Sequence, residues 1–200
     1  MITVVGMGPG HIKYLTQEAI DAIQQADLAL AFERIAQTAE AITSPVIRLK
    51  SVSDALEYTS SEKHVALLAS GDPCFYGILE YLHTQGIVIE RVVPGLSSFQ
   101  YLMAKLQKSW QHAHFISLHG RGSDLEQVAQ HTLTIVLTDR QHTPHSISQQ
   151  LGKLGLTGKM YVGYNLSYKN ERILEAHIGD DFEENNPLSI VVIEHEMDSR

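Results

Sequence analysis

The 200-residue chain carries 15 basic and 23 acidic side chains, a formal charge of −8 with histidine neutral. That balance argues against a general nucleic-acid binder, which needs a cationic face, but leaves room for a local basic patch that meets a small anion. No apolar run approaches the ~20 residues that cross a bilayer, no signal-peptide pattern opens the chain, and a single cysteine, Cys74, allows no internal disulfide; a cytoplasmic protein is expected.

Elements alternate along the chain. Residues 2–5, "ITVV", read as a short buried strand. Residues 16–26 place apolar side chains at 19, 20, 23 and 26, a helical stripe with Thr16 as its cap. A strand at 27–32, a helix at 34–42, a short strand at 46–49 and a helix at 52–60 follow. "HVALLAS" (64–70) is almost continuously apolar and ends at Gly71 and Pro73, the signature of a central parallel strand. A helix at 77–85 stops at Gly86, a strand runs over 87–93 to Pro94–Gly95, and a helix over 97–107 begins at Ser97 or Ser98.

The second half starts near Trp110. A strand is expected at 114–120, and Ser123 and Glu126 have capping-box spacing for the next helix. A strand follows at 133–138, and Thr143–Pro144 opens a helix with proline in its first turn. Three strands at 159–166, 171–179 and 188–196 close the chain with no helix between them, which predicts antiparallel pairing. The fold class is α/β: two α/β domains, 1–112 and 113–200, with a mixed sheet in the C-terminal half and a ligand cleft between the halves. Lys105 and Lys108 are expected on a solvated helix face.

Eleven histidines are many for this length. Yet no Cys/His quartet has zinc spacing and no HExxH occurs, so no metal site is assigned. His112 and His114 have the spacing of two ligands on one strand face, but exposed histidines account for them better.

Three strand-to-helix turns carry the functional signal. "VVGMGPGH" offers Gly6 and Gly8 of a dinucleotide fingerprint, but His11 stands at the third glycine position and Pro9 lacks the N–H that a phosphate would use. A NAD-dependent oxidoreductase is therefore disfavoured, and a tight loop needing glycine freedom is the simpler account. "ASGDPCFYG" follows the most apolar strand, where ligands of open α/β sheets bind; Asp72–Pro73 is also an ordinary turn-initiating pair. "VVPGLSSF" reads either as a helix cap or as a pair of hydroxyl contacts to a ligand.

Taken together, G-x-G-P-G, G-D-P and P-G-x-S-S in this order resemble the tetrapyrrole methylase family, two-domain enzymes that use S-adenosyl-L-methionine. The resemblance runs from Ile2 to about Glu194. "SWQHAHFISLHGR" (109–121) and "GYNLSYKNERI" (163–173) resemble the cobalt-precorrin-7 (C-5)-methyltransferase subgroup, which includes the N-terminal half of the fused precorrin-6Y methyltransferases. The resemblance implies methylation of carbon 5 of (cobalt-)precorrin-7 in cobalamin biosynthesis. The rival within the family is a methyltransferase acting on a different ring carbon.

Carried over position by position, the resemblance implies cofactor contacts at Pro9, Ser70, Gly71, Asp72, Phe75, Ser97, Ser98, Thr138 and Leu166. Glu33, in "AFERI", aligns with a one-residue shift to an acidic base proposed in some relatives. His119 is a second candidate for acid–base work, because an imidazole titrates near neutrality. His119 and Arg121 are also expected to meet the carboxylates of the corrinoid substrate, and Tyr14, with Lys13 and His11, to line the substrate side of the first loop. The resemblance further implies a homodimer, with neither nucleic acid nor membrane as a partner. The chain leaves no room for the carbon-15 methylation and decarboxylation domain of the fused relatives, so a separate enzyme of the same pathway is expected to supply it.

Overall fold

The structure, a computed structural model, describes residues 1–58, 63–118, 125–182 and 189–196, the side chain of Glu33 excepted. The chain divides into two compact units, Met1–Ser98 and Phe99–Arg200. The division falls at the first residue of a helix that the sequence reading assigns to the N-terminal domain.

The first unit holds β1 (Ile2–Gly6), α1 (Gln17–Gln25), β2 (Leu28–Phe32), α2 (Glu33–Glu40), β3 (Val46–Leu49), β4 (Val65–Ala69), α3 (Leu79–Thr84) and β5 (Arg91–Val93). The five strands form one sheet in the order β3-β2-β4-β1-β5, every pairing parallel. The three inner strands β2, β4 and β1 are buried on both faces, which is why their runs are apolar without alternation, while the edge strands β3 and β5 are partly exposed. Val5, Ala31 and Leu68 pack against Ala22 and Ile23 of α1 and Ala36 of α2. Val4, Leu30 and Leu67 face the other way, against Leu82 of α3 and Ala55. Thr16 caps α1, its side-chain oxygen accepting the Ala19 N–H at 3.0 Å. The middle place of β4 agrees with its sequence pattern.

The second unit holds α4 (Ser98–Leu106), β6 (His114–Ser117), β7 (Leu133–Leu137), α5 (Pro144–Lys153), β8 (Gly158–Tyr164), β9 (Arg172–His177) and β10 (Ser189–His195). Its sheet runs β6-β7-β10-β8-β9. Only β6 and β7 pair in parallel; β10 is antiparallel to β7 and β8, and β8 to β9. This is the mixed sheet predicted from three strands without intervening helices. Val136, Met160, Val162, Val191 and Ile193 build its core with Ile147 and Leu151 of α5. Pro144 stands in the first turn of α5, and the Thr143 side chain accepts the Ser146 N–H at 3.2 Å.

Three elements depart from the sequence reading. Val52–Tyr58 and Leu125–Gln130 are 3₁₀ helices, not α-helices, and Ser123 lies outside the described residues. The strand expected over 87–93 shortens to Arg91–Val93, because the Ile87 N–H is spent closing α3 on the Leu82 carbonyl at 3.0 Å. Lys108 is not on a solvated face. It pairs with Glu194 at 2.8 Å and lies over the Tyr161 ring at 4.8 Å. Tyr161 in turn donates to Glu194 at 3.0 Å, and that carboxylate is the leading cause holding the Lys108 ammonium above its ordinary range. Lys105, in α4, is exposed as expected, with its ammonium over the Tyr101 ring and 3.7 Å from Glu171.

Candidate functional site

The strand order puts the three signal turns side by side. They leave the carboxyl ends of β4, β1 and β5, and β1 pairs with both of the others. In an open parallel sheet that rim is where ligands bind.

The turns are bonded to each other directly. Past the end of β1, the Met7 N–H donates to the Ala69 carbonyl at 2.8 Å, and Gly8 and Gly71 exchange backbone hydrogen bonds at 3.2 and 2.8 Å. Asp72 ties in the third turn. One carboxylate oxygen accepts the Cys74 N–H at 2.8 Å, and the other accepts the Gly95 N–H at 3.1 Å.

Such close approach dictates the glycines. A Cβ on Gly95 would stand 2.2 Å from the Gly71 carbonyl oxygen and 2.9 Å from the Gly6 Cα. A Cβ on Gly6 would stand 2.5 Å from the Gly95 nitrogen. Gly71 is different: its φ of +67° demands glycine for conformation, yet a Cβ there would meet nothing nearer than the Ser97 Cα at 3.7 Å. A Cβ there would make an ordinary contact, so Gly71 is dictated by backbone conformation and not by crowding.

Around it stand an exposed Ser70, half-buried Asp72, Phe75 and Ser98, and buried Pro9 and Ser97. Phe75 packs edge-on against Tyr76, ring centroids 4.9 Å apart. Desolvation, followed by the neighbouring Asp72 carboxylate, raises the exposed Cys74 thiol above its ordinary value, which disfavours its thiolate. Turns that present backbone, a carboxylate and hydroxyls fit a zwitterionic, cation-bearing ligand better than a pyrophosphate.

Seven of the nine residues named for cofactor contact thus meet on one rim of the first unit. The other two belong to the second unit. Thr138 follows β7, and its buried hydroxyl donates to the Ser189 carbonyl at 2.7 Å and lies 2.8 Å from the Ser189 hydroxyl. Leu166 is buried against Gly163, whose missing Cβ would stand 2.7 Å from a Leu166 methyl. The backbone turns sharply there, with φ of +46° at Asn165 and +72° at Ser167.

In the first loop Tyr14, His11 and Lys13 do come together. The His11 and Tyr14 rings meet edge to face at 6.3 Å, and the Lys13 ammonium sits 5.6 Å from the Tyr14 ring centre. His119, Arg121 and the Glu33 side chain lie outside what the structure describes. Among the described residues no group of three or more histidine, cysteine or acidic side chains could hold a metal, and no helix is long and apolar enough to cross a membrane.

Comparison with known proteins bears on this rim. A family model described as tetrapyrrole (corrin/porphyrin) methylases matches residues 1–180. The cobalt-precorrin-7 C(5)-methyltransferase of Salmonella typhimurium is 35% identical over 178 residues, 86% of this chain and 89% of that one. Among solved structures, a cobalamin biosynthesis precorrin-6Y methylase from Archaeoglobus fulgidus has a TM-score of 0.78 at 24% identity, covering 98% of this chain and 99% of its own. A uroporphyrin-III C-methyl transferase from Thermus thermophilus, complexed with S-adenosyl homocysteine, has a TM-score of 0.76 at 22% identity, covering 96% of each chain. At those identities the two structures show the shared fold.

Proposed function

Because the chain belongs to the tetrapyrrole (corrin/porphyrin) methylase family, we propose that it methylates carbon 5 of cobalt-precorrin-7 in cobalamin biosynthesis, with S-adenosyl-L-methionine as donor. The observation that carries this reading is the 35% identity, over most of both chains, to a protein of that named activity. The geometry supports the cofactor: the three turns meet on one sheet rim, bonded to each other through backbone and held by a carboxylate.

The donor supplies a methyl group already made electrophilic by its sulfonium sulfur. This chain's residues then have only to bind, orient and keep water out, and such positioning is worth up to ~7–11 kcal/mol of barrier. Gly71 and Asp72 present backbone and carboxylate to the donor's polar groups, with Pro9, Ser70, Ser97 and Ser98 around them and Phe75 beside its apolar part. Thr138 contributes backbone and methyl surface, since its hydroxyl is taken by Ser189. Leu166 adds an apolar contact. Tyr14, His119 and Arg121 are assigned to the ring substrate, and Glu33 or His119 to proton removal. The working unit is a cytoplasmic homodimer, and a separate enzyme carries out carbon-15 methylation and decarboxylation.

Isothermal titration with adenosylhomocysteine and with NAD tests the cofactor assignment. Binding of adenosylhomocysteine without NAD is expected; NAD binding alone would replace this reading with the oxidoreductase. Turnover with cobalt-precorrin-7, and mass and NMR analysis of the product, locate the methyl group; a methyl on another ring carbon would support the rival within the family.

A further inference from the structure

The loop between β8 and β9, "NLSYKNE", carries Leu166. Tyr164 and Arg172 stand opposite each other in register at its base, so residues 165–171 form the turn. That is longer than the about two to five residues that close most hairpins. Two of its residues hold left-handed backbone, Asn165 at φ +46° and Ser167 at φ +72°. Asparagine visits that region readily; serine does not. Leu166 lies between them and is buried. Its two methyls and a methyl of Leu102, in α4, close on the place a Gly163 Cβ would occupy, at 2.7, 3.0 and 3.1 Å.

The residue with the least tolerant backbone is also the one that is clamped. The Ser167 N–H donates to Oε2 of Glu171 at 2.6 Å. The other oxygen of that carboxylate, Oε1, stands 3.7 Å from the Lys105 ammonium of α4. The Tyr168 N–H donates to the Asn165 carbonyl and the Glu171 N–H to the Tyr168 carbonyl, each at 3.0 Å. These two bonds fold the chain back so that Glu171 meets its target. Ser167 is buried and Glu171 half-buried, where a hydrogen bond to an ionised acceptor is strong. Glycine at 167 would take φ of +72° at no cost. Serine takes it because the surrounding bonds hold it there.

We propose that Glu171 is a positioning residue for the methyl donor: by holding Ser167 left-handed it fixes the 165–167 turn, and so sets Leu166 before the donor arrives. A loop already in its bound shape lowers the ordering cost of binding. Glu171 acts through Ser167 and Leu166, not on the reacting atoms. The inference rests on the methyl-transfer reading and on the assignment of Leu166 to the donor.

Adenosylhomocysteine is titrated calorimetrically into wild type, Glu171→Ala, Glu171→Gln and Glu171→Ala/Ser167→Gly, well below each unfolding midpoint. A purely structural clamp would lower that midpoint and leave the affinity of the folded protein unchanged. Glu171→Ala is expected to bind about tenfold more weakly. Glu171→Gln, whose amide oxygen still accepts the Ser167 N–H, is expected to lose only about threefold. Adding Ser167→Gly to Glu171→Ala is expected to bring affinity back to within about threefold of wild type, because glycine keeps the turn without the clamp. Glu175→Ala removes an exposed ion pair with Lys159 in the same sheet and, as the control, is expected to stay within about twofold. Equal affinity in wild type and Glu171→Ala, an equal loss in Glu175→Ala, or a double variant no better than Glu171→Ala overturns the positioning role. If Glu171→Ala does not fold, Glu171→Gln decides, and wild-type affinity there overturns it. Failure of wild type to bind adenosylhomocysteine overturns the methyl-transfer reading instead, so the two failures are distinct.

Discussion

The carboxylate of Asp72 accepts the backbone N–H of Gly95 at 3.1 Å, joining the turn after β4 to the turn after β5 across the end of β1. The same carboxylate holds its own turn through the Cys74 N–H. One side chain therefore sets the spacing of two ligand-facing loops before any ligand arrives. Preorganisation of this kind lowers the ordering cost of binding.

Replacing Asp72 by asparagine tests that role. An amide offers one acceptor oxygen where the carboxylate uses two, so one of the two N–H donors meets an NH₂ group. Losing a hydrogen bond to a charged acceptor at a half-buried site is expected to cost about 1–2 kcal/mol in urea unfolding. Adenosylhomocysteine affinity is expected to fall about tenfold, because the two loops lose their fixed spacing. Unchanged stability together with lost binding would instead make Asp72 a ligand contact with no structural share.

The two glycines flanking that link separate crowding from backbone strain. Gly95→Ala places a methyl 2.2 Å from the Gly71 carbonyl, with backbone on both sides and no flexible side chain to yield. About 3 kcal/mol or more of destabilisation is expected, at the upper end for overpacking. Gly71→Ala has room but keeps φ at +67°, and is expected to cost about 1–2 kcal/mol. Urea midpoints should therefore rank wild type, Gly71→Ala, Gly95→Ala. Adenosylhomocysteine binding should suffer in Gly71→Ala beyond its stability loss, since the new methyl would stand where the proposed donor meets the turn's backbone, beside Ser97.

Most of this architecture was legible in the residues because local and global signals agreed. The unbroken apolar run at 64–70 has no amphipathic reading, so a central strand was the only economical choice, and β4 takes that place. Glycines, proline and Asp72 after successive strands marked the rim. What the sequence left hidden is pairwise and non-local. Nothing in "VPG" says that the Gly95 N–H will meet a carboxylate 23 positions earlier. Lys108 departs from its expected solvated face for a related reason: its partners Tyr161 and Glu194 come from two distant strands, and helix periodicity cannot register them. The 3₁₀ segment at Val52–Tyr58 escaped because its polar anchor, Asp54, competes with α-helical geometry by accepting from its own upstream backbone.

That anchor gives a pH-dependent prediction. The Asp54 carboxylate accepts the Ser51 hydroxyl at 2.5 Å and the Lys50 and Ser51 amides at 2.9 and 3.1 Å. The Ser51 hydroxyl, then the two amides, and least the Lys50 charge, hold its pKa below the ordinary carboxylate value. In the unfolded chain an aspartate titrates near ~3.9. A folded value below that means the unfolded chain takes up the proton first on acidification. The stabilisation is therefore complete above about pH 5, shrinks as pH falls past the unfolded value, and is lost through the lower folded value. Urea unfolding of wild type and Asp54→Ala should show a constant stability gap from neutral pH down to about pH 5, closing steadily on further acidification. A gap that persists undiminished at the acid end would show that Asp54 acts through packing and not through its ionised carboxylate.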